Sequence, residues 1–457
     1  MIQQLQDRFP GADCRIDEDS LEQYGRDWTR FHTVNARAIV FPRKEEDIVW
    51  LVDFARKNKV ALVPSGGRTG LSAGAVATQG EIVVSLERMD KIIEYNEEEA
   101  TIRCQAGVIT ANIHEFAEQQ GLYYPVDFAS SGSSQIGGNV ATNAGGIRVI
   151  RYGMTREQVL GLRVVTGTGE ILSLNNGLIK NATGYDLRHL MIGSEGTLGF
   201  ITEVTIQLTT PPGPQAVVVL GIEDLSAVMP VLTSFRKELI LSAFEFFSDQ
   251  ALTKVMEHQE LKAPFDSRTN FYALIEVDME KQGSDDKLMN CFEHAFEEGW
   301  IVDGVMSSSD AQAEALWKLR EGISEAITPW TPYKNDISVT TSKVAAFLEA
   351  VDSKVNEAYP GFKNIWFGHI GDGNLHLNIL KPDDMDVETF KDTCASFSDI
   401  IYRIVAEFGG SISAEHGVGL LKKDFLHYSR SEAEINIKKG IKKLFDPDGI
   451  LNPGKIF

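Results

Sequence analysis

Cysteine is scarce in this chain: Cys14, Cys104, Cys291 and Cys394 are the only four in 457 residues, far apart and without a C-x-x-C pair. That excludes a disulfide framework and a thiolate zinc site, and leaves reduced, partly buried thiols as the ordinary reading. Basic residues are also in deficit, 44 Lys and Arg against 65 Asp and Glu for a net charge of −21. Such a surface repels phosphate backbones and anionic headgroups, so no nucleic-acid partner is expected. No apolar stretch is long enough to span a bilayer. The opening MIQQLQDRFPGADC has neither a basic start leading into an apolar stretch nor an Arg- and Ser-rich amphipathic pattern. The expected location is the cytoplasm, and a mitochondrial-matrix protein that had lost its targeting peptide would read the same. Also missing are G-x-x-x-x-G-K-[ST] and G-x-G-x-x-G, which removes support for nucleoside triphosphates and NAD.

What is present reads as α+β. The length favours two or three domains with ample buried surface. Short β-branched runs, Ala38–Phe41 and Ile82–Ser85, are separated by helix-like stretches such as Glu45–Lys57. The four residues Pro211-Pro-Gly-Pro214 carry three prolines and stop the strand Phe200–Leu208, because they can continue neither a helix nor an interior strand. Beyond them, strands Ala216–Gly221 and Phe271–Val277 alternate with acidic amphipathic helices, Asp285–Glu298 and Ser342–Ala358. The tail Asp446-Pro-Asp-Gly-Ile-Leu-Asn-Pro-Gly-Lys455 is dense in turn residues and reads as an ordered loop. The expected segments are 1–212, 213–410 and 411–457.

Three glycine-rich loops crowd the first segment. Val63-Pro-Ser-Gly-Gly-Arg-Thr-Gly-Leu-Ser-Ala-Gly74 follows an apolar stretch and could turn its backbone N–H groups toward an anion. Alone it would as well be a tight surface turn. Gly132-Ser-Ser-Gln-Ile-Gly-Gly-Asn-Val-Ala-Thr-Asn-Ala-Gly-Gly146 is poorer still in bulky side chains, as backbone lying flat against something large and planar would be. Gly193-Ser-Glu-Gly-Thr-Leu-Gly199 precedes the last strand of the segment. Together they make plain turns a poor explanation.

PSGGRTGLSAG, GGNVATNAGG, GSEGTLGFITEVTIQL and the terminal LNPGK resemble the FAD-binding elements of the vanillyl-alcohol oxidase and p-cresol methylhydroxylase superfamily, in this order and over nearly the whole chain. The resemblance implies a two-subdomain FAD-binding domain over 1–212, an α+β substrate domain with an antiparallel sheet over 213–410, and a C-terminal segment, 411–457, that returns to the FAD domain. It also implies cofactor contacts from Pro64, Ser65, Gly66, Gly67, Arg68, Thr69, Gly70 and Ser72, which would wrap the pyrophosphate. Gly138, Asn139, Thr142, Asn143, Gly145, Gly146, Gly196 and Ile201 would line the rest, and Asn452 would approach the flavin ring. Members with covalent flavin often carry a histidine after the paired glycines of the first loop. Here Arg68 and Thr69 follow Gly66-Gly67, so non-covalent FAD is expected.

The segment Trp366-Phe-Gly-His-Ile-Gly-Asp-Gly-Asn-Leu-His-Leu-Asn-Ile-Leu380 sets Asp-Gly between apolar arms, a strong hairpin signal. With Asp372-Gly373 as the two turn residues, His369 would face His376, close enough for both imidazoles to reach one metal, and Asn378 would point the same way. Two such histidines can equally be ordinary sheet residues bonded to water or backbone. Ser413-Ala-Glu-His-Gly-Val-Gly419 adds Glu415 as a carboxylate ligand and His416 as a base beside it. Two imidazoles and a carboxylate leave coordination positions open, the pattern of a catalytic site. Such a set could also belong to a zinc hydrolase, but H-E-x-x-H is absent and the glycine loops would go unexplained.

GHIGDGNLHLN and SAEHGVG resemble the D-2-hydroxy acid dehydrogenase branch of the superfamily, which implies His369, His376 and Glu415 as ligands of a divalent metal, expected to be zinc, and His416 as general base. GGIRVIRYG and NATGYDL look most like branch members that act on D-2-hydroxyglutarate, with D-lactate, D-malate and a glycolate oxidase subunit as alternatives. Leu316–Ala326 reads as a helix that puts Arg320 and Ser324 one turn apart on one face, although a solvated Glu/Arg pairing fits as well. The branch pattern implies Arg320, Ser324 and Lys334 as the groups that hold a distal carboxylate. Ser324 departs from the threonine expected there. The implied reaction removes the α-hydrogen as hydride to the flavin while His416 takes the hydroxyl proton. An electron-transfer flavoprotein or a quinone is the expected acceptor, a homodimer stays open, and a non-catalytic subunit is the third class considered.

Overall fold

The β-branched runs become strands of three sheets, of four, five and seven strands. The computed structural model describes residues 1–457, which fall into two units. The first comprises Met1–Gly146, Tyr152–Pro211 and Glu415–Phe457, and the second Ile147–Arg151 and Pro212–Ala414. No helix is long and apolar enough to cross a membrane.

In the first unit, Ala36–Val40, Glu81–Ser85 and Leu62–Ser65 lie parallel, with Cys14–Arg15 antiparallel on the outer edge. The crossover helix Glu45–Asn58 buries Ile48, Leu51, Val52 and Ala55, the spacing of one helical face. Its acidic first turn and basic last turn suit the helix dipole. A second, antiparallel sheet runs in the order Ile92–Asn96, Thr101–Gln105, Gly199–Gln207, Val159–Thr166, Ile171–Leu174. One apolar core joins the two sheets and takes in Ile450 and Leu451 of the tail. The tail docks on Leu62, whose N–H donates to Ile450 O at 2.8 Å and whose carbonyl accepts from Asn452 N at 2.8 Å. The expected ordered loop is therefore an extra rung beside the parallel sheet.

The second unit is built on an antiparallel sheet ordered Asp303–Met306, Gln215–Ile222, Phe271–Asp278, Leu241–Ser248, Lys363–Gly368, Asn374–Leu380, Tyr333–Ser338. Helices Asp249–Gln259 and Asp310–Glu321 pack through Leu252, Val255, Leu316 and Leu319 against Phe247, Leu274, Ile365 and Phe367 of one face. Helix Val344–Ala358 meets the other face, where Asp352 accepts from Trp366 Nε1 at 2.7 Å. All four cysteines are buried and free, and burial pushes the Cys104 and Cys394 thiols up to about 12.

Candidate active site

The first glycine loop is held against the second by close backbone approach. A Cβ on Gly67 would stand 2.1 Å from Ser133 O, so only glycine lets the two segments touch. Gly196 packs on the Pro64 ring in the same way. Arg68, at φ +59, lies over the Tyr24 ring with its guanidinium carbon 4.3 Å from the centroid. Several expected cofactor residues have side chains committed within the protein. Asn139 donates to Thr110 Oγ1 at 2.7 Å, Thr142 to Gly138 O at 3.0 Å, and Asn143 Oδ1 accepts from Arg156 N at 3.0 Å. Ile201 belongs to the core, Ser72 is buried, and Gly70 O accepts from Trp28 N. Thr69 is half-buried.

A cofactor fits the pattern left over. Ser65 Oγ, Ser85 Oγ, Gln135 Oε1 and Asn452 Oδ1 are buried without a hydrogen-bond partner, which is costly unless a ligand supplies one. Gly138 faces open space where a side chain would otherwise stand. The Asn452 amide donates to Gly74 O at 2.9 Å and Glu195 O at 2.7 Å, so it ties two glycine loops together and leaves only its buried oxygen for a ligand.

Glu195, which the sequence reading passed over, organises the segment after Glu415. Its two carboxylate oxygens accept from Val418 N and Gly419 N, each at 2.8 Å. Gly417 turns at φ +81, with the Glu195 carboxylate 2.9 Å from where a Cβ would stand. Burial pushes the Glu195 carboxyl above its ordinary range, against the pull of those two N–H groups and Lys422. Glu415 lies against Gly145, its Oε1 2.9 Å from a notional Cβ there, and Gly146 is pressed onto Asp127 O.

In the second unit, the hairpin departs from the expected register. The strands are Lys363–Gly368 and Asn374–Leu380, joined by the five residues 369–373, so Phe367 and not His369 opposes His376. A two-residue type I′ turn needs positive φ at both central positions, and only Gly373 has it, at +85. Asp372 instead accepts from Asn374 N at 3.0 Å and widens the turn. The imidazoles still meet, with ring centroids 5.5 Å apart.

Each histidine has a buried carboxylate at Nδ1. Glu245 Oε1 is 2.7 Å from His369 Nδ1, and Asp336 Oδ1 is 3.8 Å from His376 Nδ1. At His369 the short contact holds the proton on Nδ1 and leaves the Nε2 lone pair for a ligand, the usual support for a metal-binding histidine, whereas at His376 the carboxylate acts only through its charge. Asp336 is itself fixed by Asn374 Nδ2 at 2.9 Å and by the N–H of Ala414 at 3.2 Å. Burial pushes Asp372 up to about 6, with the charges of Glu245 and Asp336 acting the same way and His369 opposing. In register, Lys334 opposes Asn378 and Asp336 opposes His376, so all four share a face.

Arg320 and Ser324 do not share the continuous helix expected. The helix Asp310–Glu321 ends before Gly322, and a separate turn, Ile323–Ala326, follows. Arg320 is buried, its Nη2 2.8 Å from Glu245 Oε2 and its guanidinium carbon 4.8 Å from the Phe367 ring centroid. Ser324 is exposed and accepts from Lys334 Nζ at 3.0 Å. Glu245 was legible in part: it is the lone charge in Leu241–Ser248, a strand buried at every position, where an ionised group needs a partner.

Two family models match the chain, a FAD binding domain over residues 36–175 and the C-terminal domain of FAD linked oxidases over residues 211–456. The D-2-hydroxyglutarate dehydrogenase of Stutzerimonas stutzeri (strain A1501) is 56% identical over 457 residues, covering 100% of this chain and 98% of the relative. The mitochondrial D-2-hydroxyglutarate dehydrogenase of Bos taurus is 35% identical over 446 residues, 96% of this chain and 80% of the relative. The crystal structure of p-cresol methylhydroxylase with substrate bound matches with a TM-score of 0.75, covering 100% of this chain and 96% of that one. At 14% identity this last likeness concerns the fold alone.

Proposed function

Because the chain belongs to the FAD linked oxidases, we propose that it oxidises D-2-hydroxyglutarate to 2-oxoglutarate. The observation that carries this reading is the sheet face on which His376 adjoins Lys334 and Asn378, with the ring of His369, bonded at Nδ1 by the buried Glu245, 5.5 Å from that of His376. The substrate is named from full-length relatives that bear it in their names. FAD, held non-covalently by the glycine loops, supplies the two-electron acceptor when bound. Acid precipitation then leaves a colourless pellet, and colour retained on the protein overturns the non-covalent attachment.

His369, His376 and Glu415 would hold a divalent ion, zinc by donor type, which supplies Lewis acidity toward the C1 carboxylate and hydroxyl oxygens. Ala414, the chain neighbour of Glu415, is already fixed by Asp336, which supports this assignment. His416 takes the hydroxyl proton. Lys334, with Ser324 on its Nζ, offers a point charge to the distal carboxylate, and Asn378 an amide. Arg320 adds a guanidinium whose other side is held by Glu245. In a chain of net charge −21, such local cations are what draws a dianion in. An electron-transfer flavoprotein or a quinone would serve as the onward electron acceptor, and we place the protein in the cytoplasm, with a homodimer as the alternative to a monomer. Chelation tests the metal assignment: verified metal removal abolishes turnover without releasing flavin and added zinc restores it, whereas unchanged turnover overturns it.

A further inference from the structure

We propose that Glu245 is a positioning residue that couples the cation receiving the substrate's distal carboxylate to the metal site, an inference that rests on the reading of His369 as a metal ligand and Arg320 as a substrate group. Its carboxylate is almost wholly buried and its two oxygens are divided between two partners: Oε1 faces His369 Nδ1 at 2.7 Å and Oε2 faces Arg320 Nη2 at 2.8 Å. A charge in the middle of an otherwise uncharged, fully buried strand is costly unless both partners stay in place. Glu245 therefore fixes the His369 ring with Nε2 outward and fixes the Arg320 fork over Phe367. The ring of Phe367 lies in turn 5.1 Å from that of His376, so one carboxylate and one aromatic ring tie Arg320 to both imidazoles.

Packing alone would ask less of this position. A methionine or leucine would fill the same volume without the cost of a buried charge, and replacing a buried ion pair by apolar groups is often neutral or stabilising. The arrangement makes sense if the carboxylate has a task at each end. At one end it raises the donor strength of the imidazole. At the other it pairs with the guanidinium by charge, without a hydrogen bond at Oε2 or at Arg320 Nε, and leaves the donors of the fork to a second carboxylate.

The test is zinc affinity of the metal-free, flavin-loaded full chain, measured by competition with a chromophoric chelator, for the unmodified protein, Glu245→Gln, Arg320→Met and the double variant. Glu245→Gln is expected to weaken zinc binding at least about tenfold, the range for loss of a partner behind a metal ligand. Arg320→Met, which touches no metal ligand, is expected to shift zinc affinity by about threefold or more in the presence of Glu245 and not in its absence, the signature of coupled neighbours. If Glu245→Gln does not fold, Glu245→Asp, which draws the charge back by one methylene, carries the same two expectations. Zinc affinity unchanged in Glu245→Gln or in Arg320→Met overturns the proposal while leaving the metal assignment standing. An unmodified protein that takes up no zinc brings down both.

Discussion

In the first unit side chains such as Asn139, Asn143 and Asn452 fasten one loop to another, whereas in the second unit the buried carboxylates of Glu245 and Asp336 face His369, Arg320 and His376 from another strand. The first kind of site is specified by what is missing, the Cβ atoms that Gly67 and Gly417 lack. The second is specified by pairs, and its failure modes should be correspondingly sharp.

The largest effect expected is on the reacting proton. His416→Ala should lower turnover by at least ~10²-fold, the lower range for loss of a general base, while flavin stays bound, and near-normal turnover would remove His416 from the mechanism. Next comes the backbone contrast. Gly67→Ala forces a methyl against Ser133 O and should cost about 1–3 kcal/mol of stability, as overpacking does, with flavin released on gel filtration. A variant that melts like the parent and keeps its colour would break the claim that close approach builds the cradle. The smallest effect belongs to Glu195→Gln. The amide keeps one acceptor oxygen for two N–H donors, so exchange at Val418 and Gly419 should quicken about tenfold, the equivalent of one hydrogen bond, with little change in flavin retention. The parent carries a further signature: a carboxyl raised by burial makes stability decline as pH climbs from the ordinary carboxylate range through the raised value. Glu195→Gln should be without that decline, and identical stability profiles from pH 4 to 8 would contradict it.

The same contrast explains what could be read from the chain. Glycine loops and the Pro-rich stop at Pro211–Pro214 are local features, and the strands and helices around them appear within a residue or two of expectation, as Glu45–Asn58 and Phe271–Asp278 do. Pairing is not local. The Asp372-Gly373 signal located the hairpin but not its width, because the side chain of Asp372 bonds Asn374 N and redirects the turn. Arg320 and Ser324 sit one turn apart in sequence, yet Gly322 separates their helices and each finds a different partner, Glu245 and Lys334. Glu245, Asp336 and Glu195 were missed for one reason: what marks them is a partner 75, 40 or more than 200 residues away, or burial that the sequence states only as a charge in an apolar run.

Anaerobic bleaching of the bound flavin by single acids decides the substrate. Loss of the oxidised flavin absorbance is expected with D-2-hydroxyglutarate, slower loss with D-malate and D-lactate, which offer a shorter second carboxylate or none to Lys334 and Arg320, and no loss with the L-enantiomers. A flavin that stays oxidised with D-2-hydroxyglutarate, or that bleaches equally with both enantiomers, would contradict that assignment.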